Sequence, residues 1–200
     1  MASTAVPSPG SLSRALASRR IRALQARTIE RWHLRERAIG SWEQAALELP
    51  LPAVEPDALV VAIARVNCFQ WHDEDRARAE GISDRALGRV KRSIDASNLR
   101  RVEAIYEIDL ALHLLLSPGW TRRTPLATEA PGSILDRLSV LSLKAYHSIE
   151  PGRRAVLRRQ RLDLERSWDL LLDDLVEGRR AFRLYPQIKI YGGPADIRTP

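Results

Sequence analysis

Between Ala58 and Arg78 the chain contains no glycine or proline, yet its character reverses. The apolar run Ala58 to Ala64 feeds directly into Asn67-Cys68-Phe69-Gln70-Trp71-His72-Asp73-Glu74-Asp75-Arg76-Ala77-Arg78. Such a stretch predicts one helix, over about 57–79, stopping at Gly81. On that helix Asn67, Trp71, Glu74 and Arg78 fall at i, i+4, i+7 and i+11, which is one face. An amide, an indole, a carboxylate and a guanidinium thus share a face that apolar groups would otherwise fill. Polar groups there need partners, so the face marks a buried polar network or a site. Three readings of His72 to Asp75 stay open. It is a helix end leaving the core, with Asp73 and Arg76 solvated; or a binding site; or a metal site in which His72 joins Glu74 or Asp75. His72-x-Glu74 also fits part of the zinc deaminase signature, but no Cys-x-x-Cys follows it.

Two hundred residues, 44% of them hydrophobic, suit one globular domain with a real core. Cys68 is the single cysteine, so no intrachain disulfide forms. No run approaches the ~18 apolar residues of a membrane span. The first 29 residues hold five Arg and no acid, as transit peptides do, but no apolar segment follows Arg19-Arg20 to make a secretory signal. The expected compartment is the cytoplasm. A net charge of +7 invites nucleic-acid binding. The distribution argues against it. The excess lies in residues 1–50 (8 basic, 4 acidic) and 151–200 (11 basic, 7 acidic), while residues 51–150 carry 13 basic and 14 acidic groups. No helix-turn-helix, zinc-finger or RNA-recognition signature accompanies the charge.

The pattern predicts an all-α, single-domain bundle of about five main helices with an extended C-terminal arm. Residues 1–12 read as a disordered lead, 13–193 as the helical domain and 194–200 as a flexible tail. The first helix is expected over about Ser13–Gly40, with Leu16, Ile21, Leu24, Thr28 and Trp32 as its inward stripe. A short helix over 41–49 and a linker from Pro50 to Pro56 follow. Ser83 can cap a third helix reaching Leu116. After a 14-residue loop, a fourth helix starts at Ser133 and a fifth at Pro151, ending near Gly178. The fifth is basic early (Arg153, Arg154, Arg158) and acidic late (Asp169, Asp173, Asp174), an order that opposes the helix dipole and implies a partner helix or ligand. From Phe182 to Tyr191 the period changes to two, as in extended chain with Leu184, Ile188 and Ile190 packed down.

Further candidates lie on the third and fourth helices. Lys91, Asp95, Asn98 and Asp109 form a polar stripe, read either as interhelical salt bridging or as carboxylates that join Glu74 and Asp75 to hold Mg²⁺ against a phosphate. The fourth helix is apolar almost all round and should be buried. In it Ser133-x-x-Asp136 fits a capping box. Arg137, Lys144 and His147, by contrast, are ionisable groups that need carboxylate or phosphate partners if buried. The expectation is that Glu74, Asp75, Asp95, Arg137, Lys144 and His147 converge. His33 reads as packed or solvated, His113 as a hydrogen-bonded core or interface residue, and Cys68 as a small core hydrophobe.

Four separated motifs resemble the bacterial domain-of-unknown-function family 4254. They are Asn67 to Arg78; Lys91-Arg92-x-Ile94-Asp95-x-x-Asn98-x-x-Arg101; Pro131-Gly132-Ser133-Ile134-Leu135-Asp136-Arg137 through Lys144-x-Tyr146-His147; and Tyr185-x-Gln187-x-Lys189-x-Tyr191. The resemblance spans about residues 21–193. Cys68 and Gln70 depart from it, where larger apolar residues are expected, and Gly192 stands in place of an Asn. It implies an intracellular, mostly helical bacterial protein associated with cell-surface polysaccharide metabolism, and it carries no assigned reaction.

The resulting expectation is a site for a phosphorylated small molecule, such as a nucleotide or sugar nucleotide, with Mg²⁺ as a candidate cofactor. It draws on Asn67, Trp71, His72, Glu74, Asp75, Arg78, Asp95, Asn98, Arg137, Lys144 and His147, with Tyr185 and Lys189 of the arm closing it. The competing expectation is a non-catalytic interaction protein, a homo-oligomer included, whose polar clusters only fix helix register. Nucleic-acid binding is the least supported class.

Overall fold

A computed structural model of the chain describes residues 9–36 and 56–185. The short helix expected over 41–49, most of the following linker, the start of the lead, the arm beyond Tyr185 and the tail lie outside the described residues. The architecture is all-α: α1 (Pro9–Ala15), α2 (Ser18–Glu36), α3 (Pro56–Ala77), α4 (Asp84–Leu116), a 3-10 turn (Ser117–Gly119), α5 (Pro131–His147) and α6 (Pro151–Val176). Helices α3 and α5 form the middle. α3 packs on α2, α4 and α5, and α5 packs on α2, α3, α4 and α6. The main core gathers Leu16, Ile21 and Leu24 from α2 and the turn before it, Leu59 and Ile63 from α3, Ile108 and Leu112 from α4, Leu135 and Leu138 from α5, and Trp168 and Leu172 from α6.

The first helix differs from expectation. It begins at Pro9, inside the supposed lead, and breaks at Leu16–Ala17 before α2 starts. The cause is tertiary. Trp168 of α6 donates its Nε1–H to the Leu16 carbonyl at 2.8 Å, and Asp169 accepts from both the backbone N–H (2.8 Å) and the hydroxyl (2.6 Å) of Ser18. Together they satisfy backbone groups that the break exposes in the interior. Most of the inward stripe is as expected: Leu16, Ile21, Leu24 and Thr28 are buried, and Trp32 is half-buried.

Helix α6 gives a partial reason for its charge order. Arg161, Glu165, Trp168, Leu172 and Leu175 form its buried stripe, so two of the five inward positions are charged. Arg161 donates to Glu165 (2.7 Å), to the Leu138 carbonyl (3.0 Å) and to Gln25 (3.0 Å), and Glu165 also accepts from Arg22. Of the charges in that order, Arg161 and Asp169 answer α2 and α5, as the partner-helix reading has it, while Arg153, Arg158 and Asp173 are exposed. The helix start is capped by Glu150, whose carboxylate accepts from the N–H groups of Gly152 and Arg153.

Ser83 caps α4 as the sequence implied, accepting from Ala86 N–H. The loop after α4 is not free. Ala127 N–H donates to the Ala181 carbonyl (2.7 Å) and Ala181 N–H to Pro125 (2.9 Å), an isolated parallel bridge. Beyond it Phe182 is buried and Tyr185 exposed, so the alternation of the arm holds through its described part.

Helices α4 and α5 come close together at Gly132. Its N–H donates to Asp109 Oδ1 at 2.6 Å, and a Cβ there would meet Ile105 O at 2.5 Å. Gly132→Ala should therefore destabilise the protein by roughly 1–3 kcal/mol, through forced separation of the two helices. Gly88→Ala, on an open stretch of α4 where the nearest atom is 3.7 Å away, should stabilise it by about 0.5–1 kcal/mol. Chemical unfolding of both variants checks the sign.

Asp109 also makes stability depend on pH. Burial pushes its carboxyl from the ordinary 3.8 up to about 6, partly opposed by the Gly132 hydrogen bond. The folded state thus holds the proton more tightly than the unfolded chain. The contribution is full below pH 3.8 and is lost as pH rises through about 6. Its size is on the order of 2–3 kcal/mol. Asp109→Asn keeps an acceptor for Gly132 and should flatten this part of the stability–pH curve, measured by urea unfolding from pH 4 to 7.

Candidate functional site

The face of α3 singled out by its spacing lines a real pocket. Asn67, Trp71 and Glu74 of α3, with Arg78 just beyond it, meet Arg101 of α4 and Lys144 of α5 around a space of about 370 Å³. A second pocket of about 550 Å³ adjoins it, sharing Arg101, Val140 and Lys144 and adding Arg137 together with Gln160, Asp163 and Ser167 of α6. The lining combines four cations with two carboxylates, over an apolar floor of Val140, Leu141, Leu143 and Leu164.

One buried carboxylate organises this region. Asp136 accepts from Arg101 through Nε (2.8 Å) and a terminal nitrogen (2.5 Å), and from Asn67 Nδ2 (2.9 Å). It joins α3, α4 and α5. The capping-box reading of Asp136 is therefore corrected. Helix α5 begins at Pro131, with Ala130 as N-cap, so Ser133 and Asp136 lie inside the helix and the carboxylate turns into the bundle. Asn67 is likewise buried in this network. Hydrogen bonding to Asp136 raises the Arg101 pKa, against the effect of burial.

The expected buried cations of α5 are also corrected. Arg137 is 55% exposed and pairs with Glu129 of the preceding loop, and Lys144 is exposed, with no ion pair among the described residues. Apolar residues fill the other faces of α5 and leave these two on its outer edge. The enclosed guanidiniums lie on the helices beside α5 instead: Arg161 is buried and Arg101 half-buried. Asp73, one reading of which was solvation, is buried and accepts from Ser93 of α4 and from Arg76.

Convergence is partial. Glu74 and Lys144 share the first pocket, and Arg137 and Lys144 the second. Glu74 is paired with Arg78 at 3.0 Å. Asp75 and Asp95 are exposed and line neither pocket, and Asn98 is half-buried outside both. Asp109 is committed to Gly132. The oxygen-donor cluster expected for Mg²⁺ is not assembled among the described residues. Tyr185 is exposed, and Lys189 lies outside the described residues.

His72 and His147 instead meet His33, which sequence reasoning set aside. The Nε2 atom of His33 lies 3.2 Å from Nε2 of His72 and 3.2 Å from Nε2 of His147. All three are half-buried. His33 Nδ1 lies 2.6 Å from the Ile29 carbonyl, so in the neutral ring Nδ1 carries the proton and Nε2 the lone pair. Burial, followed by the neighbouring His33, lowers the pKa of His72 and so favours its neutral form. Trp71 stacks on His147 (ring centres 5.1 Å apart, 12° between planes), and Tyr146 lies 4.5 Å from the His33 ring. The chain has four histidines, and these three are the ones that follow an aromatic residue: Trp32-His33, Trp71-His72 and Tyr146-His147. That repeated dipeptide was the available signal. The fourth, His113, packs edge-on against Trp120 and Phe182, its buried Nδ1 without a partner among the described residues.

The observed placements set the order of mutational cost. Arg101→Ala leaves Asp136 buried and short of its charge partner, and should cost roughly 3–5 kcal/mol. Arg137→Ala breaks only a surface pair and should cost about 1 kcal/mol or less. Paired thermal and urea denaturation of the two variants checks the order.

No curated protein and no solved structure matches the chain significantly. A family model described as "Protein of unknown function (DUF4254)" matches residues 57–155. That span runs from the start of α3 to the first turn of α6. It holds Asn67, Arg101, Asp136 and Lys144, and two of the three clustered histidines, while His33 and the Tyr185 arm lie outside it. Through residues 57–155 the chain belongs to the DUF4254 family.

Proposed function

We propose that the groove between α3, α4, α5 and α6 binds a phosphorylated small molecule. The observation that carries this reading is Lys144. It stands where the two pockets meet and forms no ion pair among the described residues, beside an Arg101 held rigid by Asp136. A fixed guanidinium next to an uncommitted ammonium is a natural phosphate receptor. Trp71, on the same lining, offers aromatic surface for a base or sugar, and its buried Nε1–H finds no acceptor among the described residues. A nucleotide or sugar nucleotide has both parts. The sugar-nucleotide class also agrees with the link to cell-surface polysaccharide metabolism implied by the family resemblance. The paired state of Asn67, Asp136, Arg161 and Glu165 favours a second reading for those residues alone, in which they fix helix register.

Thermal-shift titration with inorganic pyrophosphate, ADP and UDP-glucose tests the proposal. A binding ligand at ~100 times its Kd should stabilise the protein by about 2.7 kcal/mol. Lys144→Gln should weaken that ligand roughly ten-fold and reduce its sensitivity to salt, as loss of one charge-assisted contact does. Lys91→Gln, on an exposed part of α4, should change neither. Shifts absent with all three probes, or equal in both variants, would remove the groove as a phosphate site and leave the interaction-protein reading.

A further inference from the structure

The geometry points to a divalent transition-metal site, of the kind that zinc occupies, built from Nε2 of His33, His72 and His147. The three side chains come from α2, α3 and α5, and their ligating atoms all lie within 4.8 Å of one another. Two of the separations, 3.2 Å each, can be set against a metal polyhedron. Metal–imidazole bonds of ~2.0–2.1 Å at a tetrahedral angle place ligand nitrogens about 3.3–3.4 Å apart. The third separation lies within 4.8 Å and is the side that a bound ion would draw in.

Hydrogen bonding alone accounts poorly for this arrangement. The His33 Nδ1–H is committed to the Ile29 carbonyl, so its Nε2 has a single in-plane lone pair. Two neighbouring imidazoles at 3.2 Å would have to share it. A metal ion resolves the conflict, because each ring then directs one lone pair at a common centre. The His33–Ile29 contact is also the outer support expected of a ligating imidazole: it fixes the tautomer and aims the other nitrogen inward. Trp71 stacked on His147 and Tyr146 against His33 hold two of the rings in place.

The donor set selects the ion. Neutral nitrogen ligands suit Zn²⁺, Co²⁺, Ni²⁺ or Cu²⁺, and Mg²⁺ and Ca²⁺ poorly. Among the described residues no cysteine or carboxylate joins the three histidines, so within them the fourth tetrahedral position is open. Three protein ligands with an exchangeable fourth is the pattern of reactive rather than purely structural zinc. The site is independent of the phosphate groove in its residues, and the two stand or fall separately.

The test uses the full chain without an affinity tag, stripped with chelator. Added Co²⁺ should give the intense visible bands of a tetrahedral nitrogen-ligated ion, saturating at about one ion per chain and displaced by Zn²⁺. Zn²⁺ should raise the melting temperature, and Mg²⁺ should not. His33→Ala and His72→Ala, shown by circular dichroism to remain helical, should each lose the Co²⁺ bands and weaken Zn²⁺ binding about 10-fold or more. His113→Gln should retain both. If the unmutated chain shows no tetrahedral Co²⁺ spectrum, or holds well under one Zn²⁺ per chain after gel filtration, the proposal is overturned whatever the variants do. Bands that persist in folded His33→Ala would overturn it equally.

Discussion

The Asp136 carboxylate is the fixed point of the molecule. It sits inside α5, nearly out of solvent, and accepts from Arg101 of α4 and Asn67 of α3. An isolated charge at that depth would cost several kcal/mol. Bidentate pairing and an amide donor offset that cost, and the geometry they demand sets how three helices meet. Gln25 and Arg161 do the equivalent on the other side of α5, tying its Leu135 and Leu138 carbonyls and Ser142 to α2 and α6. Helix α5 is therefore held between two polar clamps as well as by its apolar contacts.

This arrangement positions the groove. Arg101 faces the pockets with its orientation already set, while Lys144, one helix away, keeps its freedom. One cation of this small region is thus tied into the bundle and the other stands exposed beside it. The histidine cluster lies on the neighbouring side of Trp71, which touches both the groove lining and the His147 ring.

The elements with strong period were legible. The α3 face Asn67, Trp71, Glu74 and Arg78 emerged from a spacing of 3.6 residues and lines a pocket as a unit, and Ser83 marked the start of α4 through cap chemistry alone. What could not be read depended on partners distant in the sequence. Ser133 and Asp136 satisfied a local capping rule, yet Pro131 started the helix earlier and Asp136 answered residues on two other helices. Arg137 and Arg101 look alike in sequence. Only the rotation of α5 against α4 decides that the first is solvated and the second enclosed. His33 carried a signal, its aromatic neighbour, which became visible once it was compared with the same dipeptide at His72 and His147.

The bend between α1 and α2 has a consequence for how the chain comes to be made. Its backbone is satisfied by Trp168 and Asp169, about 150 residues further on. While the chain is being synthesised from its N-terminus, those side chains do not yet exist. The N-terminal segment must wait, unbent or unsettled, until α6 has left the ribosome. Contacts of such long sequence separation form late, because the intervening chain must first be closed into a loop. The bend between α1 and α2 is thus among the last parts of the described fold to acquire its shape, and it does so by docking against α6.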